Sequence, residues 1–161
     1  MGTMSKALAS AGGYLAGEAA LIDYLRYTLP GFVYSVGLPP ANAAAALAAL
    51  RLLEARPELP RRLQARSDLF RDLCRARGID IGLSRDSAVV PCITGTSELA
   101  LRAAQDLGGR GINVQPIFYP AVEEGKARLR FFITAAHTET QLRDAAEALA
   151  EVVAARPSPP A

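Results

Sequence analysis

With 161 residues, half of them apolar, the chain has the length of about one domain and enough nonpolar side chains for a sizeable core. Eighteen basic and sixteen acidic residues leave a net charge of +2, the two signs alternate along the chain, and tryptophan is absent, so no basic stripe with interleaved aromatics points to nucleic acid. The longest apolar stretches are broken by Asn42, Arg51 or Glu54, short of the roughly 20 residues a bilayer demands, and the expectation is a cytoplasmic protein with no membrane partner.

The opening segment, MGTMSKALASAGGYLAG, sets Lys6 among glycine, alanine and serine before any element has room to form. Glycines bound a short strand over Gly12 to Gly17, and EAALIDYLRYTL carries helical spacing at Leu21, Leu25 and Leu29 until Pro30 and Gly31 stop it. FVYSVG reads as irregular or extended. Pro39 and Pro40 then open a long helix, LPPANAAAALAALRLLEA. It is apolar nearly all round, which predicts burial between two layers.

Pro57 and Pro60 interrupt the chain, and a charged helix from about Arg61 to Ala76 follows, with an apolar stripe at Leu63, Phe70, Leu73 and Cys74 and Gly78 at its close. The pattern switches to alternation over IDIGL and the strand AVVPCIT, then to a helix over SELALRAAQDL ended by Gly108 and Gly109, then to the strands INVQPIF and ARLRFFIT. Thr138 and Gln141 form a capping box ahead of the last helix. Its apolar positions Leu142, Ala145, Ala146, Leu149, Val152 and Val153 keep the helical period throughout. In RLRFFIT the apolar Leu129, Phe131 and Ile133 share one face, so Arg128, Arg130, Phe132 and Thr134 share the other, which must meet a site or water.

After Arg56 the elements suffice for a small sandwich of three or four strands and three helices, whereas before it a single strand has no sheet to pair with. The expected organisation is residues 1–55 as the end of a larger domain, 56–155 as a small α/β domain, and 156–161 as a disordered tail. Cys74 and Cys92 fall in different predicted elements with no histidine at ligand spacing, which reads as buried reduced thiols with no metal. His137, the only histidine, stands just before a helix cap and is read as orienting the strand end, not as a base.

A lysine among small residues lets a flat molecule come close to its Cα, and in a desolvated site its neutral amine can attack a carbonyl. Composition alone favours an ordinary loop lysine. The segment GTMSKALASAGGYLAG, however, resembles the lysine segment of the α-oxoamine synthases, pyridoxal-phosphate (PLP) enzymes of the aspartate-aminotransferase fold. YSVGLPPANAAAA is similar to that family's aromatic-serine segment and helix-opening proline, GINVQPIFYPAV to its strand and YP turn, and ARLRFFITAAHT to its arginine strand and AHT end. Together these cover nearly the whole chain in order. The fold implied is α/β, the C-terminal portion of a fold-type I PLP-dependent transferase: the end of the large domain plus a small α+β domain with a three- to four-stranded sheet and helices on one face.

The resemblance also implies roles. Lys6 would hold the cofactor as a Schiff base and later shuttle the α-proton, and Thr3 would bind the cofactor phosphate. Tyr34 and Ser35, plain loop residues by composition, would reach across a homodimer interface toward the neighbouring subunit's phosphate. Arg130 would grip the carboxylate of an amino acid through two parallel bonds, while a solvated edge suits Arg128. The implied reaction condenses an amino acid with an acyl thioester to an α-amino ketone. YSVGLPP and YPAVEEGKARLRFFIT are most like versions fused to carrier-protein or polyketide machinery, which implies an acyl carrier protein as thioester holder in place of coenzyme A. The family's stacking histidine and ring-pairing aspartate lie upstream of the lysine, so the chain is expected to be incompetent alone. A non-catalytic reading stands beside this one, a dimerisation or interaction module that uses an exposed strand and the apolar helix from Ala41 to Leu53.

Overall fold

The computed structural model describes residues 1–154, and the tail expected at 156–161 lies outside the described residues. The chain forms two compact units, Met1–Pro57 and a second that begins at Glu58.

The first unit opens with a minimal antiparallel pair, β1 (Gly2–Thr3) and β2 (Gly13–Tyr14), followed by α1 (Ala19–Thr28), α2 (Pro30–Val33) and α3 (Pro40–Ala55). Pro30 ends α1 but does not return the chain to an extended path. Leu29 is extended, and Pro30, whose fixed φ suits a first helical position, starts the single turn α2. The expectation for α3 needs correcting. None of its residues is buried; Asn42, Ala46, Ala49 and Leu53 line a half-covered face, and Leu47, Leu50 and Leu52 remain about half exposed. A sheet of two-residue strands has too little area to serve as a covering layer, so an all-round apolar helix finds no second layer within its own unit.

In the second unit α4 (Glu58–Ala76) starts three residues before the expected point. Pro60 falls in its first turn, where the missing amide hydrogen costs no hydrogen bond. Gly78, at φ +68°, takes the left-handed conformation that ends the helix, and the Ile79 amide donates back to the Cys74 carbonyl at 3.0 Å. Ile79 and Ile81 are both buried, as the alternation in IDIGL predicts, but the segment is a loop and not a strand. The remaining elements are β3 (Val89–Gly95), α5 (Ser97–Gly109), β4 (Gln115–Ile117), β5 (Ala127–Phe132) and α6 (Glu139–Ala154). Gly108 and Gly109 are the last residues of α5, not the residues after it.

The sheet order is β3-β5-β4, antiparallel throughout, with β5 in the centre. Its alternation divides the unit into two faces. Leu129, Phe131 and Ile133 are buried with Phe70 and Cys74 of α4, Leu107 of α5, and Leu142 and Leu149 of α6 in one apolar cluster. Phe70 and Phe131 meet with ring centroids 5.0 Å apart, a separation typical of favourable aromatic pairs. On the other face no helix covers the strand: Arg130 and Phe132 are exposed and Arg128 is half-buried.

Cys74 and Cys92 are both buried in this core and form no disulfide. Burial, reinforced by the neighbouring Cys92, pushes the Cys74 thiol up to about 12, which keeps it protonated and unreactive. One charged residue is also inside. Arg71, on α4, donates from Nη1 to the Ser87 carbonyl at 2.6 Å and pairs with Asp68, fastening the loop before β3 to the helix. Both partners are needed there, because a buried guanidinium left unsatisfied would be costly.

The capping box forms as the sequence predicts. Thr138 Oγ1 accepts from the Gln141 amide at 3.2 Å, and Gln141 Oε1 accepts from the Thr138 amide at 2.9 Å. Thr138→Ala is therefore expected to lower the unfolding free energy by about 1 kcal/mol, seen as a lower urea midpoint at unchanged slope; an unchanged midpoint would mean that the box carries no stability.

Candidate active site

Lys6 sits in the turn that joins β1 to β2. The turn is fixed by its backbone: the Met4 amide donates to Gly12 O at 2.9 Å, Ser10 to Met4 O at 3.0 Å, and Ala9 to Lys6 O at 3.0 Å. Ala9 is held at φ +49°, a left-handed conformation that an alanine adopts only under constraint. Ser10 Oγ donates to the Asn42 carbonyl at 2.8 Å and so ties the turn to the start of α3. The pair is tight at its base, where a Cβ on Gly2 would lie 2.5 Å from the far end of the Tyr14 ring and one on Gly13 3.0 Å from the Gly2 carbonyl oxygen. An open concavity of about 480 Å³ lies beside the turn, lined by Ser5, Ala9, Ser10, Ala11, Ala41, Asn42 and Ala45.

The Lys6 amine is exposed and donates to Ser5 Oγ at 3.1 Å. This chain alone therefore does not provide the desolvated setting that the small neighbouring residues suggest. Thr3 is exposed on β1. Tyr34, 88% exposed, and Ser35 lie where α2 runs out; Ser35 Oγ donates to Phe32 O at 3.2 Å and accepts from the Gly37 amide at 3.4 Å. Among the described residues no hydrogen bond joins Tyr34 or Ser35 to Thr3 or Lys6. An amine with hydroxyls at Thr3 and Ser5 is a donor set that fits the aldehyde and phosphate of PLP. The described residues hold no group of three or more histidine, cysteine, aspartate or glutamate side chains able to bind a metal ion, and none of their helices is long and apolar enough to cross a membrane.

In the second unit Arg130 stands on the open face of β5, in register with Pro91 of β3 and Gln115 of β4. No carboxylate or carbonyl among the described residues accepts from its guanidinium. Arg128, two pairs along on the same face, donates from Nε to the Lys126 carbonyl at 3.1 Å. His137 does what its place before the cap suggests: its Nδ1 accepts from the Thr134 amide at 3.1 Å and pins the end of the strand.

Sequence reasoning missed Glu124. It lies in the loop from β4 to β5, which contains the cis Tyr119-Pro120 bond. One carboxylate oxygen accepts from the Ser97 amide at 3.0 Å and the other from Ser97 Oγ at 2.6 Å, so the loop that leads into β5 is clamped to the first turn of α5. Nothing in the local spacing announces this, because 27 residues separate the partners. The only local hint is an acidic side chain available to a helix start.

The model of the aminotransferase class I and II family matches residues 1–149, and the chain belongs to that family. Within it the likeness runs to the α-oxoamine synthases. The chain is 48% identical over 156 residues to 8-amino-7-oxononanoate synthase of Methylobacterium nodulans, a match that covers 96% of this chain and 39% of that protein. The crystal structure of 8-amino-7-oxononanoate synthase from Francisella tularensis matches with a TM-score of 0.79 at 28% identity, over 92% of this chain and 43% of that one. A lysine-to-alanine variant of serine palmitoyltransferase from S. paucimobilis, solved with a bound PLP-myriocin aldimine, matches at 0.85 and 25% identity, over 94% and 38%. The chain thus has part of the fold-type I PLP-transferase fold and spans about two fifths of the length of the curated relatives it matches.

The Ser97 hydroxyl, and then its amide, hold the Glu124 carboxyl below its ordinary value of 4.5. A carboxyl depressed in the folded state contributes stability that is present above the unfolded value and lost as pH falls through the folded one. The Ser97 amide resonance is expected to titrate with a midpoint below 4.5, and Glu124→Ala should abolish that movement. A titration midpoint at or above 4.5 would contradict the clamp.

Proposed function

We propose that this chain is the C-terminal portion of a PLP-dependent acyltransferase that condenses an amino acid with an acyl thioester to an α-amino ketone, and that it is inactive until the rest of the enzyme is supplied. The observation that carries the reading is the state of Lys6. Of the two lysines, Lys126 is ion-paired with Glu123, whereas the Lys6 amine stands on a hydrogen-bonded turn with only a serine hydroxyl as partner.

When bound, PLP supplies the electron sink that lets the α-carbon of an amino acid attack an acyl thioester. Lys6 would hold the cofactor through Nζ, and the same amine, when free, would carry the α-proton. The Thr3 hydroxyl donates to the phosphate. Tyr34 and Ser35 serve the phosphate held by a second copy in a homodimer, a role to which their exposure lends support. Arg130 takes the amino-acid carboxylate through its two-pronged edge. Residues 1–55 belong to the cofactor-binding domain and 56–155 to the small domain. Pairing the pyridine nitrogen, covering the ring and drying the Lys6 amine fall to the remaining length of the enzyme. The thioester arrives on an acyl carrier protein or coenzyme A. Two buried cysteines without a disulfide suit a cytoplasmic setting.

The half-exposed leucines of α3 favour a second reading, a dimerisation or interaction module without catalysis. Incubating the chain with PLP, reducing with borohydride and mapping the labelled peptides separates the two. The pyridoxyl group is expected on Lys6 in preference to Lys126, and Lys6→Ala should remove it. Equal labelling of both lysines, or label confined to Lys126, would leave the non-catalytic reading standing.

A further inference from the structure

Phe132 is 50% exposed on the open face of the central strand. Two residues apart on one strand face, Phe132 and Arg130 point to the same side, and the Arg130 Cζ lies over the Phe132 ring, 5.0 Å from its centroid. The ring forms part of the wall of a cleft of about 560 Å³ with Ile112, Asn113, His137 and Gln141. Among the described residues no hydrogen bond or ion pair restrains the guanidinium. Gln115, its register partner, donates its own amide to Asn113 Oδ1 at 3.3 Å.

We propose that Phe132 is a positioning residue that holds the Arg130 guanidinium by its face so that its N–H edge stays free for a substrate carboxylate; this rests on the carboxylate reading of Arg130. The physical argument concerns donors. An arginine can be restrained by an acidic side chain or by backbone carbonyls, but either consumes the fork that must receive the ligand. A ring under the cation attracts it through its quadrupole and takes no N–H. The flexible side chain is thereby pre-oriented and its donors remain open, which lowers the ordering cost at binding. His137 contributes indirectly, since the strand end it pins continues into the wall on which the ring rests.

The full chain tests this without its cofactor, by nuclear magnetic resonance of the Arg130 Nε–Hε group during titration with acetate and, in parallel, with neutral acetamide. In the unaltered chain the Arg130 Hε signal is expected to be displaced by the ring current and to respond to acetate alone. Phe132→Leu should abolish that displacement and weaken acetate binding about three-fold, the size of an exposed cation–π attraction. Phe132→Tyr, which restores an aromatic face, should recover both. Arg130→Gln distinguishes the two layers of the argument. If it leaves acetate affinity unchanged, the carboxylate reading fails, and the positioning role fails with it. If it removes binding while Phe132→Leu leaves both affinity and the Hε signal as they were, the positioning role alone is overturned.

Discussion

The second unit depends on β5 being paired along both edges. Paired with β3 along its length and with β4 at Arg128, Leu129 and Arg130, the strand has most of its backbone groups satisfied by neighbours and its side chains committed to alternate faces. Leu129, Phe131 and Ile133 are driven into the cluster with the three helices because that removes them from water. Once those three are fixed, Arg130 has no choice of side: a one-residue slip would put a guanidinium in the core and a leucine outside. The orientation of the proposed ligand-binding cation is thus a consequence of core packing. The capping box at Thr138 and the His137 bond to Thr134 hold the strand's far end to α6, and the Glu124 clamp holds its near end to α5.

The first unit works on different terms. No residue in it is fully buried, and its sheet is two residues deep. Its order at Lys6 comes from backbone hydrogen bonds around a tight turn and from the Ser10 tie to Asn42, not from a core. Such an arrangement can fix where an amine is presented while leaving it wet. Side chains as small as alanine and serine around it leave room for a planar group to approach, and that room is what the run of small residues contributes.

Much of this was legible in the residues because it is local or periodic. The strand alternation, the stripe on α6, the Thr138 and Gln141 pair and the role of His137 each follow from spacing within a few positions. Thr3, Lys6, Tyr34, Ser35 and Arg130 came as candidates from the family resemblance, and the structure adds where each stands. What escaped the sequence depends on distance or on what surrounds an element. The all-apolar α3 suggests burial, but burial needs a covering layer, which lies outside a helix's own pattern. Pro60 looks like a break until it is known to fall in a first turn. Ile79 and Ile81 alternate correctly yet have no partner strand. Arg71 in the interior, Glu124 on Ser97 and the Phe132 ring under Arg130 depend on rotamers or on partners from other elements, which no short motif encodes.

The claim on which the rest turns is that β5 is the fixed centre of the second unit. Residue-resolved amide hydrogen exchange tests it directly. A strand segment bonded on both sides and backed by the core opens only with the unit as a whole, so the amides of Arg128, Leu129 and Arg130, where β3 and β4 both pair with β5, should exchange among the slowest in that unit. Exchange of those amides as fast as in the exposed Met4 to Gly12 turn would contradict the account.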